Sequence, residues 1–578
     1  MNTFKKKSLH VAVLAGLGAI GAAGTANAVH INPDGLGEVL VFPYYTVRNG
    51  NVTAMSIVNT NNETKVVKVR FLEGKNSREV LDFNLFLSPQ DVWTGVVVPT
   101  ATGAALESGD NSCVAPSDLF GTNGVVRLSG GAPINEFKNF QYTGANQDNA
   151  NFASLDRTRE GYIEVLEMGV VINPLLTGFI KHTAAGVPAN CAALDAYDPA
   201  SIPATVVQLP GTLIGGAGPN AFNTQYLAPP SGGLGGRASL FNAANGTNYT
   251  FTPTVLDNWF NPQAPTLMPY TGAGIVLPSL GLGSLSGGID RTSLVFVSDQ
   301  FASPANFLAF SPAGVVQANW FTSLEAVTSV FMRSDIINEF LNDTVTQSRS
   351  DWVITMPTKR EFLDNALVPL RAPFRPFTNN FDRSTVTQAG ACDAFGLSIY
   401  NREEGTPAVP AGIPPVLLPS PRPPLVAPPT GAAQVLCWEA NVVEFGATGL
   451  LGSTNATRLL EPARTFASSP TASGATTTGS ALTTWKRNAA GVLAPQANGP
   501  NGWATISFGG ISAGVPIATQ NQQFITPIET FLNGTRDPVA RTFRGLPVIG
   551  AMFHNYTNTS VNTAFGGVVE HKYLRFIR

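Results

Sequence analysis

Val67, Val69 and Phe71 alternate with Lys68 and Arg70, a period of two that places one side of a strand in a core and the other in water. Four further runs share this strand-like character: Glu38 to Val47, Val52 to Thr60, Glu79 to Leu87 and Val92 to Val98, with Lys65 to Leu72 between them, all rich in Val, Phe, Tyr and Ile. Turn-forming residues separate the runs: Arg48-Asn49-Gly50, Asn61-Asn62-Glu63, Glu73-Gly74-Lys75-Asn76 and Ser88-Pro89-Gln90-Asp91. Short strands broken at this spacing predict an immunoglobulin-like β-sandwich over residues 29–105.

Beyond it the pattern loosens. Gly161 to Val171, Ala204 to Leu209, Ala238 to Val255 and Thr292 to Val297 read as strands, too many for the first sandwich to hold unless it is greatly elaborated or joined by a second β domain. Residues 106–400 are therefore expected to form an elaborated β domain. One helix is predicted inside it, over 322–341: Thr322 and Glu325 fit a capping box, and Leu324, Val327, Phe331, Ile337 and Phe340 recur near helical spacing. Asp351 to Met356 is a strand stopped at Pro357. Ten prolines between Pro407 and Pro429 forbid a sheet interior and predict a stiff projecting loop over 401–433. A C-terminal β region, 434–578, follows, with a Ser, Thr, Ala and Gly tract from Ser468 to Gly502 expected as exposed loop. The expected class is mainly β: an N-terminal immunoglobulin-like sandwich, then a larger elaborated β region with one clear helix and long loops.

Composition adds a compartment. Lys5, Lys6 and Lys7, an apolar stretch from Val11 to Ala23 and Ala26-Asn27-Ala28 make the three parts of a secretory signal peptide, with cleavage expected after Ala28. The apolar stretch is shorter than the ~20 residues a membrane span needs, so no transmembrane anchor is expected, and the protein is placed outside the cytoplasm: extracellular, on the cell surface or in the periplasm. Loss of the three lysines leaves 32 basic against 38 acidic residues, which disfavours a nucleic-acid partner. Charged residues make up only 13% of the chain, beside 57 Gly and 43 Pro, against the ~25% charged usual for soluble domains. Its surface must be covered by uncharged polar groups. Four cysteines, Cys113, Cys191, Cys392 and Cys437, suit two disulfides in an oxidising compartment. Of the three connectivities, pairing of neighbours, Cys113 with Cys191 and Cys392 with Cys437, is expected because each pair brackets one loop-rich excursion. No metal-ligand spacing occurs and no cofactor is implied; Asp148 to Asp156 is acidic but lacks the ligand spacing of a calcium loop.

Chemistry is thinly signalled. Gly510-Ile511-Ser512-Ala513-Gly514 matches the nucleophile motif of serine hydrolases, with Asp537 and His554 following, but a chain so rich in glycine produces this pattern by chance, and no alternating β and α units surround it. Glu160, Glu164 and Glu167 cluster on one strand, where alternation puts the last two on opposite faces and denies them the facing arrangement of a glycosidase pair. No catalytic residue is assigned. The densest polar and aromatic group is Asp351, Trp352, Thr358, Lys359 and Arg360. It offers a binding platform if Trp352 is exposed between the two cations, and a core tryptophan beside a charged turn if it is not.

Several blocks carry a resemblance: Asn32-Pro33-Asp34-Gly35-Leu36-Gly37 with Phe42-Pro43-Tyr44-Tyr45, Val69-Arg70-Phe71-Leu72-Glu73-Gly74 with Ser77-Arg78-Glu79-Val80, Asp351 to Lys359, and Ile399-Tyr400-Asn401-Arg402-Glu403-Glu404. In them the chain resembles an uncharacterised family of proteobacterial secreted or cell-surface β-rich proteins, departing from it at Met356, where an aromatic is expected. The resemblance implies compartment and class and brings no activity. Three functional expectations follow: a non-catalytic extracellular structural or adhesive protein, a carbohydrate-binding or carbohydrate-active one, and a filament subunit that donates the strand around Glu38 to Val47 to a neighbour. The expected partners are a surface glycan or further copies of the chain.

Overall fold

The computed structural model describes residues 28–117, 119–120, 134–148, 152–196, 227–261, 280, 288–289, 291–297, 314–342, 347–363, 376–377, 392–401, 435–445, 449–458, 466–467, 478–479, 484–487, 493–496, 501–508, 511–512, 515–516, 524–525, 529–532, 535–537, 541–558 and 563–577. The Pro407 to Pro429 loop and the strand expected at Ala204 to Leu209 lie outside them.

The five predicted runs are five strands: β2 (Val39–Thr46), β3 (Val52–Asn59), β4 (Lys65–Glu73), β5 (Glu79–Leu87) and β6 (Val92–Pro99). They are preceded by β1 (His30–Ile31) and followed by β7 (Ala104–Glu107), β8 (Val114–Ala115), β9 (Ile134–Glu136), β10 (Glu160–Val171), β11 (Leu227–Ala228), β12 (Leu234–Asn242), β13 (Thr247–Phe251) and β14 (Thr254–Asp257). One sheet of eight runs β1-β14-β2-β10-β4-β5-β8, with β11 on β10, and one of six runs β13-β12-β3-β6-β7-β9. Their inner faces share a core that includes Phe42, Ile57, Val67, Val69, Phe71, Phe83, Trp93 and Leu240. Strands from beyond residue 105 thus complete both sheets, which together hold more strands than the seven to nine of an immunoglobulin domain.

The eight-stranded sheet is covered on both sides, and this overturns one expectation. Lys68 and Arg70 do not face water: Lys68 is fully buried and Arg70 nearly so. Over part of their face lie β15 (Thr292–Val297), β16 (Gly314–Asn319) and the helix α2 (Ser323–Phe331), whose Val295, Val316, Val327 and Phe331 pack on Val39, Val41, Tyr162 and Leu166. Another part is covered by the short helix α1 (Pro174–Ile180), tied down by the Cys113–Cys191 disulfide. A strand buried on both faces can keep its cations only if they are paired: Lys68 bonds Asp82, and Arg70 bonds Glu79 and Glu164 at 2.7 and 2.6 Å.

The predicted helix is real in its first half only. Its capping box is formed, Thr322 and Glu325 each accepting the other's backbone N–H, but α2 ends at Phe331. Asp335–Phe340 is instead a strand, β17, with Ile336, Asn338 and Phe340 inward. It lies between β22 (Gly502–Ser507) and β27 (Lys572–Leu574) in a sheet ordered β19-β22-β17-β27, where β19 is Gly396–Asn401. Another sheet holds β18 (Arg349–Thr355), β20 (Ala440–Glu444), β21 (Ala456–Arg458), β25 (Ala551–Asn558) and β26 (Thr563–Glu570) in the order β21-β20-β18-β25-β26. Val353, Val442 and Phe553 of this sheet enter the sandwich core. A further sheet extends β15 and β16 with β23 (Glu529–Leu532) and β24 (Thr535–Asp537). In the tract expected as loop, Thr484–Arg487 and Leu493–Gln496 pair as antiparallel strands. The second disulfide joins Cys392 to Cys437, so both expected pairings are present. The segment thought free for donation, β2, is paired on one edge to β14 and on the other to β10, leaving no edge to offer a neighbour.

Candidate functional site

The residues singled out in the sequence are mostly structural. Trp352 is fully buried, packs on Phe445 and His571, and donates its indole N–H to the Glu339 carbonyl at 2.8 Å. Asp351, its neighbour on β18, points to the opposite face and accepts the Leu450 and Leu451 amides at 2.7 and 2.8 Å. Burial pushes its carboxyl up to about 7. Lys359 is buried, donating to the Cys437 carbonyl, while Arg360 donates to the Ser77 carbonyl. These two are not brought to Trp352, and the platform expected there does not form. The packing alternative, a core tryptophan beside a charged turn, describes what is seen.

The glutamates are occupied in the same way. Glu160 accepts from Tyr44, Arg48 and Thr454, Glu164 from Arg70, and Glu167 from Lys65 and the Ser231 and Gly232 amides. Asp148 of the acidic stretch is held by Arg157 and Asn76. Ser512 sits in a two-residue strand paired antiparallel with Val515–Pro516, where a nucleophile elbow requires a helix to follow the serine. Asp537 bonds Arg541, and His554 lies within β25 opposite Gly567.

An aromatic platform does exist, elsewhere. On the face of β22 that carries Trp503, Thr505 and Ser507, Trp503 is 44% exposed. Its register partners are Tyr400 on β19 and Glu339 on β17. The Tyr400 and Trp503 rings lie 4.5 Å apart and only 18° from parallel. Tyr556 and Phe565, opposite each other on β25 and β26, are also exposed. Burial and then the nearby Glu339 carboxylate push the Tyr556 phenol up. The sequence carried a signal for this: Ala504, Ile506 and Phe508 are the apolar set of that strand, and Trp503 falls on its polar side. What it could not show was that Tyr400 would be laid alongside.

Stacked on each other, the two rings can offer an outer face or their edges to a flat apolar group while a carboxylate accepts hydroxyl hydrogen bonds beside them. Packing within the sheet alone explains part of the pair, since aromatic neighbours across strands contribute about 0.2–1 kcal/mol. It does not explain why Trp503, Tyr556 and Phe565 stand in water. Comparison with protein-family models, with curated proteins and with solved structures finds no match to this chain.

Proposed function

We propose that the chain is an exported, non-catalytic adhesive protein that attaches to polysaccharide through the Tyr400, Trp503 and Glu339 face. The observation that carries this reading is the exposed Trp503 ring, stacked near-parallel on the partly buried Tyr400 with a carboxylate in the same row of the sheet. A sugar ring has one C–H face that stacks on an aromatic and a rim of hydroxyls that a carboxylate can accept. The expected family resemblance and the two disulfides favour the exported setting, where such a surface meets glycans.

Binding to insoluble cellulose and chitin, and to a glycan array, tests the reading. Wild-type protein is expected to be retained on at least one glycan, and Trp503→Ala to lose about 2 kcal/mol or roughly 30-fold in affinity, as a central aromatic contact does, with an unchanged melt. A wild type that binds no glycan, or a W503A variant that binds as well, overturns it. Export carries its own check: mass spectrometry of the secreted or periplasmic fraction is expected to find Val29 at the N-terminus. Val29 is fully buried and its backbone pairs with Thr292 and Leu294; recovery of intact Met1 from a membrane fraction is the opposing result.

A further inference from the structure

On the other face of the β25–β26 ribbon lies a cleft of about 390 Å³, within the range that holds small ligands. It opens where the turn after β2 and the β12–β13 hairpin meet the start of β18. Amides dominate its lining: Asn49, Asn51, Asn242, Asn245, Gln347 and Asn555, with Thr247, Tyr249 and one charged residue, Arg349.

The lining is built rather than incidental. Asn51 and Asn242 are almost fully buried. Asn51 donates its amide to the Arg48 carbonyl at 2.8 Å, and Asn49 donates to the Leu450 carbonyl at 2.9 Å. Asn242 donates to the Asn49 carbonyl at 2.7 Å and accepts the Asn245 amide. Asn555 accepts the Arg349 backbone N–H at 3.0 Å. Each of Asn49, Asn51 and Asn555 is therefore fixed at one end of its side-chain amide, and among the described residues the other end has no partner. Asn49 holds this position at a φ of 53°, in the left-handed region that costs a non-glycine residue energy and is retained where surroundings impose it. Among the described residues the Arg349 guanidinium makes no hydrogen bond or ion pair. The nearest acid on its own strand, Asp351, is taken by the Leu450 and Leu451 amides, and none of the lining residues is acidic.

We propose that this cleft is a second binding site, for a carboxylated polyol of the sugar-acid class, with the carboxylate on Arg349 and the hydroxyls on Asn49, Asn51 and Asn555. A planar guanidinium matches a carboxylate in two parallel hydrogen bonds. Fixed amide oxygens and an amide N–H accept from and donate to hydroxyls without an ordering cost. The proposal is independent of the aromatic face.

Titration calorimetry with D-galacturonate, D-galactose, acetate and tetragalacturonate tests it on the full chain. Galacturonate is expected to bind at least ~10-fold more tightly than galactose or acetate, since it alone engages both Arg349 and the amides. Arg349→Gln is expected to bring galacturonate down to the galactose level; the Arg349 backbone, not its side chain, makes the contact to Asn555, so the fold survives. Trp503→Ala is expected to leave the titration unchanged. Tighter binding of the tetramer than of the monomer identifies the end of an acidic polysaccharide as the source, and equal or weaker binding a free sugar acid. No galacturonate binding, equal binding of galactose or acetate, full binding by R349Q, or loss in W503A overturns the proposal.

Discussion

Replacing Arg157 by Met is expected to destabilise the protein by about 3–5 kcal/mol, the loss seen when one partner of a buried ion pair is removed and the other is left uncompensated. Arg157 lies just before β10 and is nearly fully buried; it donates to Glu73 through Nε and Nη2 at 2.6 and 2.8 Å and to Asp148 through Nη1 and Nη2 at 2.7 Å each. Its guanidinium also lies 4.3 Å from the centre of the Tyr142 ring. Glu73, at the end of β4, further accepts the backbone N–H groups of Lys75, Asn76 and Arg78, so this one ion fixes the β4–β5 turn to the segment entering β10. Burial acts to raise both carboxyls, but Arg157 beside them wins, and both sit below their ordinary range. A group depressed in the folded state contributes stability that is present above its unfolded value and lost as pH falls through the folded one. The R157M penalty should therefore shrink as pH is lowered toward 4, where the stranded carboxyls take up protons. Urea midpoints of wild type and R157M at pH 7 and pH 4 check both statements. A loss below 1 kcal/mol at pH 7, or a loss that grows on acidification, contradicts them.

The pattern along the chain located the strands and missed their surroundings, for reasons visible at particular residues. Val67, Val69 and Phe71 are inside, as alternation requires, because period two is a property of the strand itself. That Lys68 and Arg70 are also inside depends on a third layer laid down by residues 174–180, 292–297 and 314–331, and nothing local to β4 encodes it. The length of the helix failed similarly. Ile337 and Phe340 extend the helical spacing of Leu324, Val327 and Phe331, yet Ile336, which is apolar as well, sits an even number of positions from Phe340 and is the one buried with it, so a short apolar run fits either period. Strand pairing with β22 and β27 decided it, burying Asn338 against the backbone of Val569. The disulfides were legible because neighbouring cysteines bracketed separate excursions. The site was not: Tyr400, Trp503 and Glu339 come from three distant strands, and their common row is fixed only by register. The cleft asparagines did show in part, as the Arg48-Asn49-Gly50 turn, where Gly50 adopts a φ of 76°, but a turn signal does not say what the turn faces.

Lowering the pH from 8 to 6 is expected to stabilise the protein, by about 3 kcal/mol. Glu38 and Asp351 are buried and, among the described residues, have no cation in hydrogen-bond contact. Glu38, just before β2, accepts the Phe260 amide at 2.7 Å, and burial pushes it up to about 8. Asp351, capped by two amides, is pushed up to about 7 by the same cause. Glu164 joins them at about 7, because burial outweighs an Arg70 that is shared with Glu79. A carboxyl raised in the folded state binds a proton there that the unfolded chain, with its value near 4.5 or below, has lost. Its contribution is fully present below the unfolded value and disappears as pH rises through 7 to 8. Each such proton is worth about 1.4 kcal/mol per pH unit, so three groups acting over part of the interval support the stated figure. The other contributions are small in this window. His571, pushed down to about 4 by burial, has the reverse sign but acts mainly below pH 6.5, where the unfolded imidazole is charged. Glu439 and Lys359 are driven toward neutrality together by burial, the one gaining the proton that the other loses. Lys75, lowered to about 8, begins to add stability only at the alkaline end. Thermal or urea midpoints should therefore fall steadily between pH 6 and 8. Glu38→Gln should raise the midpoint at pH 8, leave it nearly unchanged at pH 6, and flatten the slope, since the amide has no charge to desolvate. A midpoint that is flat or rises from pH 6 to 8, or an E38Q variant that keeps the full wild-type slope, would show that these carboxylates are hydrated in solution and that the layer over the eight-stranded sheet does not close on them.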